Sequence, residues 1–492
     1  MKKILLPLLT LLLGTSGHTL VHAEVQPIEL QPCMGELDGE VVCGTAHVPE
    51  SRSKTGSRTI ALNVIVAKAL KPQSRVADPV VFIAGGPGIT VTDSVGWRTK
   101  SWAPARQHRD LVFIDARGTS GRDKLECALT HEPDAVGAYV GQSWSVERFR
   151  ACHEELSKRA DLSQYTTPDI ADDLIDILGR LGYRPANFVG SSYGSRVLLD
   201  LMARYGSSVR SGVTIGLATL SERGISDIGT HFRNILDYRM RQCEQDAECR
   251  DAYPGFAEKF LSIVRRLEDT PLQMKVTSPA SGATETLSVN KGAFLHVVRS
   301  LLYDAQRSAL LPELTEQVYA GNHADLLTDL IIRTERAQAA LLSEGSWASI
   351  QCSEDFRGTD INAAQAAEAR NLYGMDRIRN ISEICSFWPQ GQAPTAHLYR
   401  PSSDRPLLIL NGTADPATPL AWAQDAQPGL KNSTIVAVRD GSHSLGFVWD
   451  TCLVPLATEF FDTLRPNAVY QECLEGIPPP RFRKPDGQGG QS

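Results

Sequence analysis

The sequence predicts an α/β protein: a mostly parallel central sheet with helices on both faces, interrupted by an inserted, mainly helical lid. Three observations predict it. Fully apolar runs of strand length recur at Val80-Val81-Phe82-Ile83, Leu111-Val112-Phe113-Ile114 and Leu407-Leu408-Ile409-Leu410, as strands buried on both faces require. These runs alternate with helical periodicity, clearest where Ile170, Leu174, Ile177, Leu178 and Leu181 fall on one face, and that alternation is the mark of a parallel sheet. The alternation stops at Thr219 and resumes near Pro406.

The chain is 492 residues long, enough for one large core and an insertion. Met1-Lys2-Lys3, the apolar run Ile4 to Leu13, and Val21-His22-Ala23 before Glu24 describe a cleavable secretory signal over residues 1–23. A membrane anchor is the competing reading, but the run contains Pro7 and is about half the length that spans a bilayer. No later segment is apolar enough to cross, so no stable membrane anchor is expected. A formal charge of −7, with no basic run beyond Arg481-Phe482-Arg483-Lys484, speaks against nucleic acid as a partner. The ten cysteines are an even number in an exported chain, which favours disulfides over metal ligands. Sequential neighbours close short loops, so the expected pairs are Cys33 with Cys43, Cys127 with Cys152, Cys243 with Cys249, Cys352 with Cys385, and Cys452 with Cys473. None has CxxC spacing; neither a metal nor a cofactor is expected.

In chain order, residues 24–218 form the first part of the core. Thr59 to Val66 alternates like a half-exposed strand. The strand Val80–Ile83 runs into Ala84-Gly85-Gly86-Pro87-Gly88. A phosphate cradle would need a Gly-Lys-Ser/Thr ending or GxGxxG spacing, and has neither. A loop that aims backbone N–H groups at a developing oxyanion fits better. The strand Leu111–Ile114 ends in Asp115-Ala116-Arg117-Gly118, read as a structural turn in which the acid and the arginine pair. After Thr167-Pro168 and its helix, Asn187-Phe188-Val189 turns through Gly190-Ser191-Ser192-Tyr193-Gly194 into an amphipathic helix. Such a turn exposes its central side chain and needs glycine two positions to either side. Ser192 is therefore the candidate nucleophile. The N–H groups of Gly86 and Tyr193 are the candidate oxyanion donors.

Residues 219–404 read as the helical lid, with apolar stripes such as Leu326, Leu327, Leu330 and Ile331 serving as lid core. Residues 405–475 complete the sheet, and 476–492 read as a flexible tail. Leu407–Leu410 leads into Asn411-Gly412-Thr413-Ala414-Asp415, and Thr434–Val438 into Gly441-Ser442-His443. Ser192, Asp415 and His443 thus follow one another in the order Ser, Asp, His, the last two just past strand ends. His443 would take the proton of the serine hydroxyl and return it to the leaving group, while Asp415 would hold the imidazole in the working tautomer. The chemistry this implies is acyl transfer to water through a covalent acyl-enzyme.

The Gly85-Gly86-Pro87-Gly88 loop, the Asp115-Ala116-Arg117-Gly118 turn and the Gly190–Gly194 elbow, in this order and spacing, resemble the α/β-hydrolase serine peptidases that include proline iminopeptidase and the secreted tripeptidyl aminopeptidases. The resemblance, which extends to a TAP-like carboxyl-terminal part, implies an α/β-hydrolase fold. It also implies an exported, periplasmic or extracellular aminopeptidase acting on peptides with a free N-terminus. One departure is Ala84, where proline iminopeptidases carry histidine; this shifts the resemblance toward the secreted aminopeptidases. Within the lid, the resemblance makes Glu354 first choice and Asp355 second for capturing the substrate ammonium. An ordinary surface or salt-bridged acid is the alternative for both. A carboxylesterase of the same architecture, and a hydrolase-like binding protein without activity, remain as other readings.

Overall fold

In the computed structural model, residues 27–484 are described except 36, 128–144, 221–223, 278–281, 323, 358, 371–375, 393–395 and 467–468. The expected signal segment lies outside the described residues, as does the end of the expected tail.

The strands are β1 (Leu30–Pro32), β2 (Val41–Pro49), β3 (Thr59–Ala67), β4 (Val80–Ile83), β5 (Leu111–Ile114), β6 (Ala186–Ser191), β7 (Val209–Ile215), β8 (Leu272–Thr277), β9 (Thr284–Val289), β10 (Leu407–Gly412) and β11 (Ser433–Val438). Nine of them form one sheet in the order β1-β2-β3-β5-β4-β6-β7-β10-β11. The first three pair antiparallel and β3 pairs antiparallel with β5; from β5 to β11 every pairing is parallel. This is the α/β-hydrolase fold.

Both faces of the sheet are covered, which explains why its strands read as unbroken apolar runs. On one face Val81, Val112, Phe188 and Ile409 pack against Ile170, Leu174 and Ile177 of the helix Thr167–Arg180 and Val197 and Leu201 of the helix Tyr193–Arg204. On the other, Phe82, Phe113, Val189 and Leu410 meet Trp102, Ala105, Phe460 and Phe461. Consecutive residues such as Val81 and Phe82 go to opposite faces, as the pleat demands. Strand β3, between β2 and β5, alternates buried and half-buried residues along most of its length.

Between β7 and β10 lies the cap. Its first part has its own core, in which Phe232, Phe260, Phe294, Leu301, Leu327, Leu330 and Ile331 are buried together. It also contains the antiparallel hairpin β8–β9, where Met274 and Val276 face the core and Gln273 and Lys275 face solvent. The second part packs differently. Trp347, Ile384 and Trp388 share a cluster with Phe149 and Leu156 of the helix Val146–Leu156, which precedes the elbow in sequence. Disulfides join Cys33–Cys43, Cys127–Cys152, Cys243–Cys249, Cys352–Cys385 and Cys452–Cys473. Among the described residues no helix is long and apolar enough to cross a membrane.

Candidate active site

Strand β6 lies between β4 and β7, with Gly190 opposite Ile83 and Ser191 opposite Ile215. At Ser192 the chain turns at φ 52°, ψ −121° into the helix Tyr193–Arg204. That is a left-handed backbone angle an L-residue adopts only when its surroundings force it. They do so here by close approach: a Cβ on Gly190 would stand 2.5 Å from the Gly194 carbonyl oxygen, and one on Gly194 would stand 2.5 Å from that of Ile83. The Ser192 N–H donates to the Ile215 carbonyl at 2.8 Å. The Tyr193 N–H is left at the start of the helix, where amides have no partner within the helix.

The glycine loop crosses directly over the elbow. A Cβ on Gly85 would lie 3.1 Å from Ser192 Cβ, and Gly86 (φ 105°) and Gly88 (φ 91°) both use angles that favour glycine. Asp115 anchors the far end of this loop. Its carboxylate accepts from the Val91 and Thr92 N–H groups at 2.8 and 3.0 Å, from Thr92 Oγ1 at 2.7 Å and from Asn63 Nδ2 at 3.3 Å. The expected Asp115–Arg117 pairing is therefore corrected. With four donors on Asp115, Arg117 turns instead to Asp173, with Nε and Nη2 both at 2.8 Å from its carboxylate.

Asp415 and His443 come from the turns that follow β10 and β11. The turns touch so closely that a Cβ on Gly412 would fall 2.0 Å from the Gly441 carbonyl oxygen. His443 Nδ1 lies 2.9 Å from Asp415 Oδ2 and 3.1 Å from Oδ1. Asp415 also accepts from the Ala417 and Thr418 N–H groups at 2.7 and 2.9 Å, and from Thr418 Oγ1 at 2.7 Å. Burial alone would push this carboxyl up, but the imidazole and the Thr418 donors outweigh burial and hold it below the usual carboxylate range. Gly216 (φ 71°) completes the packing. A Cβ there would meet Thr418 Oγ1 at 2.4 Å, His443 Cε1 at 3.2 Å and Asp415 Oδ2 at 3.4 Å.

Serine, imidazole and acid therefore gather around the single backbone step Ile215–Gly216. Among the described residues no hydrogen bond joins the Ser192 hydroxyl to the imidazole. Thr418 and Tyr303, whose ring meets His443 edge to face at 5.0 Å, are site residues that the sequence reading missed. Asp415-Pro416-Ala417-Thr418 carried a local signal for the first, because an aspartate before a threonine three positions on often caps a turn. Tyr303 carried none.

Glu354 and Asp355 form a second, separate cluster. They lie on the π-helical turn Gln351–Asp355 and meet Arg196, one turn into the elbow helix. Glu354 Oε1 accepts from the Thr167 N–H at 2.7 Å, and Oε2 from Thr167 Oγ1 at 2.8 Å and Arg196 Nη1 at 3.2 Å. Arg196 grips Asp355 with both Nη atoms at 2.9 Å. The Tyr193 hydroxyl joins the cluster through Thr167 Oγ1 at 2.7 Å. Both acids thus stand in ion pairs with Arg196, the arrangement named as the alternative to capturing an ammonium. A guanidinium buried at the root of the elbow helix requires compensation, and these two carboxylates are committed to it.

Residues 370–473 match a family described as TAP-like protein. Over nearly its whole length the chain is similar to the serine protease Hip1 of Mycobacterium tuberculosis, 24% identical over 470 residues, 88% of this chain and 88% of the relative. It is similar also to the tripeptidyl aminopeptidase of Streptomyces lividans, 21% identical over 484 residues, 92% of this chain and 87% of the relative. Among solved structures, Rv0554 from Mycobacterium tuberculosis covers 86% of this chain and 99% of its own, with a TM-score of 0.41 and 14% identity. The part of the chain that is similar to TAP-like proteins is the part that carries Asp415 and His443.

Proposed function

We propose that the protein is an exported serine peptidase that releases short fragments from the free N-terminus of peptides. The observation that carries this reading is the buried Asp415–His443 pair set against a serine on a strained elbow. The similarity to a tripeptidyl aminopeptidase over 92% of the chain supports a peptide substrate, and the five disulfides support export to an oxidising compartment.

In the proposed reaction Ser192 Oγ attacks the scissile carbonyl while His443 Nε2 takes its proton. Asp415 holds the ring with Nδ1 protonated and stabilises the imidazolium that forms. The tetrahedral oxyanion is received by the N–H groups of Gly86 and Tyr193, placed on the two chain segments that meet beside Ser192. The imidazolium then protonates the leaving amine, and water resolves the acyl-enzyme by the same steps in reverse. A donor on a rigid helix start loses little by reorganisation, and removing one such donor costs about 100- to 1,000-fold in kcat.

Purified protein should be tested on peptide p-nitroanilides with free and with acetylated N-termini, beside a short-chain nitrophenyl ester. Cleavage of the free-amine peptides with little or none of the acetylated ones is the expected result. Ester turnover without amide turnover would replace this reading with a carboxylesterase.

A further inference from the structure

The loop that carries His443 is held by the cap on both sides. Asp440 opens this loop at φ 56°, with its N–H bound to Thr413 Oγ1 at 2.9 Å. Its side chain is received by the cap helix Gly224–Gln245, where the Tyr238 hydroxyl and Gln242 Nε2, the latter at 2.8 Å, both donate to Oδ1. Positions 238 and 242 are one turn apart and so share a face of the helix. Arg239, only 3% exposed, donates through Nη2 to the Asp440 carbonyl at 3.1 Å and reaches Ser442 Oγ at 3.5 Å. Its Nη1 is fixed by Gln242 Oε1 at 2.8 Å. On the other side of His443, the Ser444 N–H donates to the Tyr303 carbonyl at 2.7 Å. Asp304 bridges to Ser444, and the Tyr303 ring stands against the imidazole.

The core holds the same loop at other points, through Asp440 N–H to Thr413 Oγ1, Ala414 N–H to the Gly441 carbonyl at 2.9 Å and the His443–Asp415 contact, so the loop is gripped from both the sheet and the cap. A buried guanidinium aimed at a loop carbonyl is costly to desolvate, and beside it the half-buried Tyr238 phenol is committed to the Asp440 carboxylate. We propose that the seating of the cap sets the position of the general base: Tyr238, Arg239 and Gln242 on one side, and the Tyr303–Asp304 corner on the other, hold the Asp440–Ser444 loop and with it keep the imidazole beside the Ile215–Gly216 step, next to the Ser192 elbow. The three helix residues are positioning residues, since they act on His443 through its loop. The proposal rests on the reading of His443 as the base. It makes the cap part of the catalytic apparatus as well as a cover for the substrate.

The test is a Tyr238→Phe/Gln242→Met variant, which leaves the Asp440 carboxylate without its cap donors. Beside it stand Lys259→Met, which removes the Lys259–Glu316 contact elsewhere in the cap, and Ser192→Ala. With a free-amine peptide p-nitroanilide, the double variant should lose about 10- to 100-fold in kcat, the scale of a misplaced catalytic group, with KM nearly unchanged. Lys259→Met should keep wild-type kcat. If the double variant does not fold, Asp440→Gly replaces it, because glycine tolerates a positive φ and has no side-chain acceptor for Tyr238 and Gln242; the same loss confined to kcat is expected. Wild-type kcat in the folded variant, or an equal loss in Lys259→Met, overturns the clamp. Activity surviving in Ser192→Ala would instead overturn the catalytic reading on which the clamp rests, so the two failures are told apart.

Discussion

Two buried carboxylates in this molecule have nearly the same surroundings on paper and opposite consequences. Asp415 is 2% exposed and Glu354 1% exposed. Each accepts from a backbone N–H and from a threonine hydroxyl. They differ in the cation they face. Asp415 faces an imidazole, which can both accept and donate a proton; Glu354 faces a guanidinium, which stays charged. The first pairing can therefore take part in proton transfer, whereas the second can only hold charge in place. Burial does not decide which carboxylate can assist a proton transfer; its partner does.

The most severe way to break this comparison is Asp415→Asn. The imidazole would lose the acceptor that fixes its tautomer, and kcat should fall by about 10,000-fold with the fold intact, read from steady-state rates and a thermal melt. Glu354→Gln sharpens the contrast from the other side. It should cost about 1–3 kcal/mol of stability through a weakened buried contact, seen by denaturant titration, while KM for free-amine peptides stays near wild type. A large rise in KM would instead support an ammonium-binding role for this acid. Asp115→Ala frees the end of the glycine loop without touching either carboxylate. A fall in kcat of about 10- to 100-fold, smaller than that of Asp415→Asn, is expected if the loop carries an oxyanion donor.

The smallest effect is in the pH dependence of stability, where the two acids have opposite signs. Burial pushes the Glu354 carboxyl up, and Arg196 and Thr167 pull it only partly back, so it stays above the usual range. Folding then favours its neutral form. The contribution to stability is full below the unfolded value of about 4.3 and is lost as pH rises through the folded value. Asp415, held low in the folded state, contributes above its unfolded value of about 3.9 and loses that contribution as pH falls through its folded value. Thermal melts across acidic pH should show Glu354→Gln flattening the first slope and Asp415→Asn the second; identical profiles for the two variants would erase the distinction.

How much of this was legible in the sequence follows from how local each feature is. The elbow could be read because a left-handed Ser192 flanked by crowded glycines leaves a five-residue signature. The turns that end in Asp415 and His443 could be read because apolar strands stop at polar residues there. The partners of Asp115, Arg117 and Glu354 could not. Thr167 and Glu354 are 187 positions apart, and nothing near Glu354 announces that Arg196 will be buried beside it. Thr166 caps the helix Thr167–Arg180, which leaves the Thr167 hydroxyl to Glu354 and Tyr193. The hairpin β8–β9 was readable from the alternation of Met274 and Val276 with Gln273 and Lys275, but it sat within a stretch dominated by helical periodicity. The grip of Tyr238 and Gln242 on Asp440, about 200 residues away, becomes visible only once the cap is folded over the sheet.

The most direct check on Ser192 and His443 as nucleophile and base is covalent labelling with a fluorophosphonate, followed by peptide mapping. A single adduct on Ser192, formed rapidly in the wild type and far more slowly in His443→Ala, is the predicted result. An adduct on another residue, or labelling of Ser192 that proceeds equally fast without the imidazole, would contradict it.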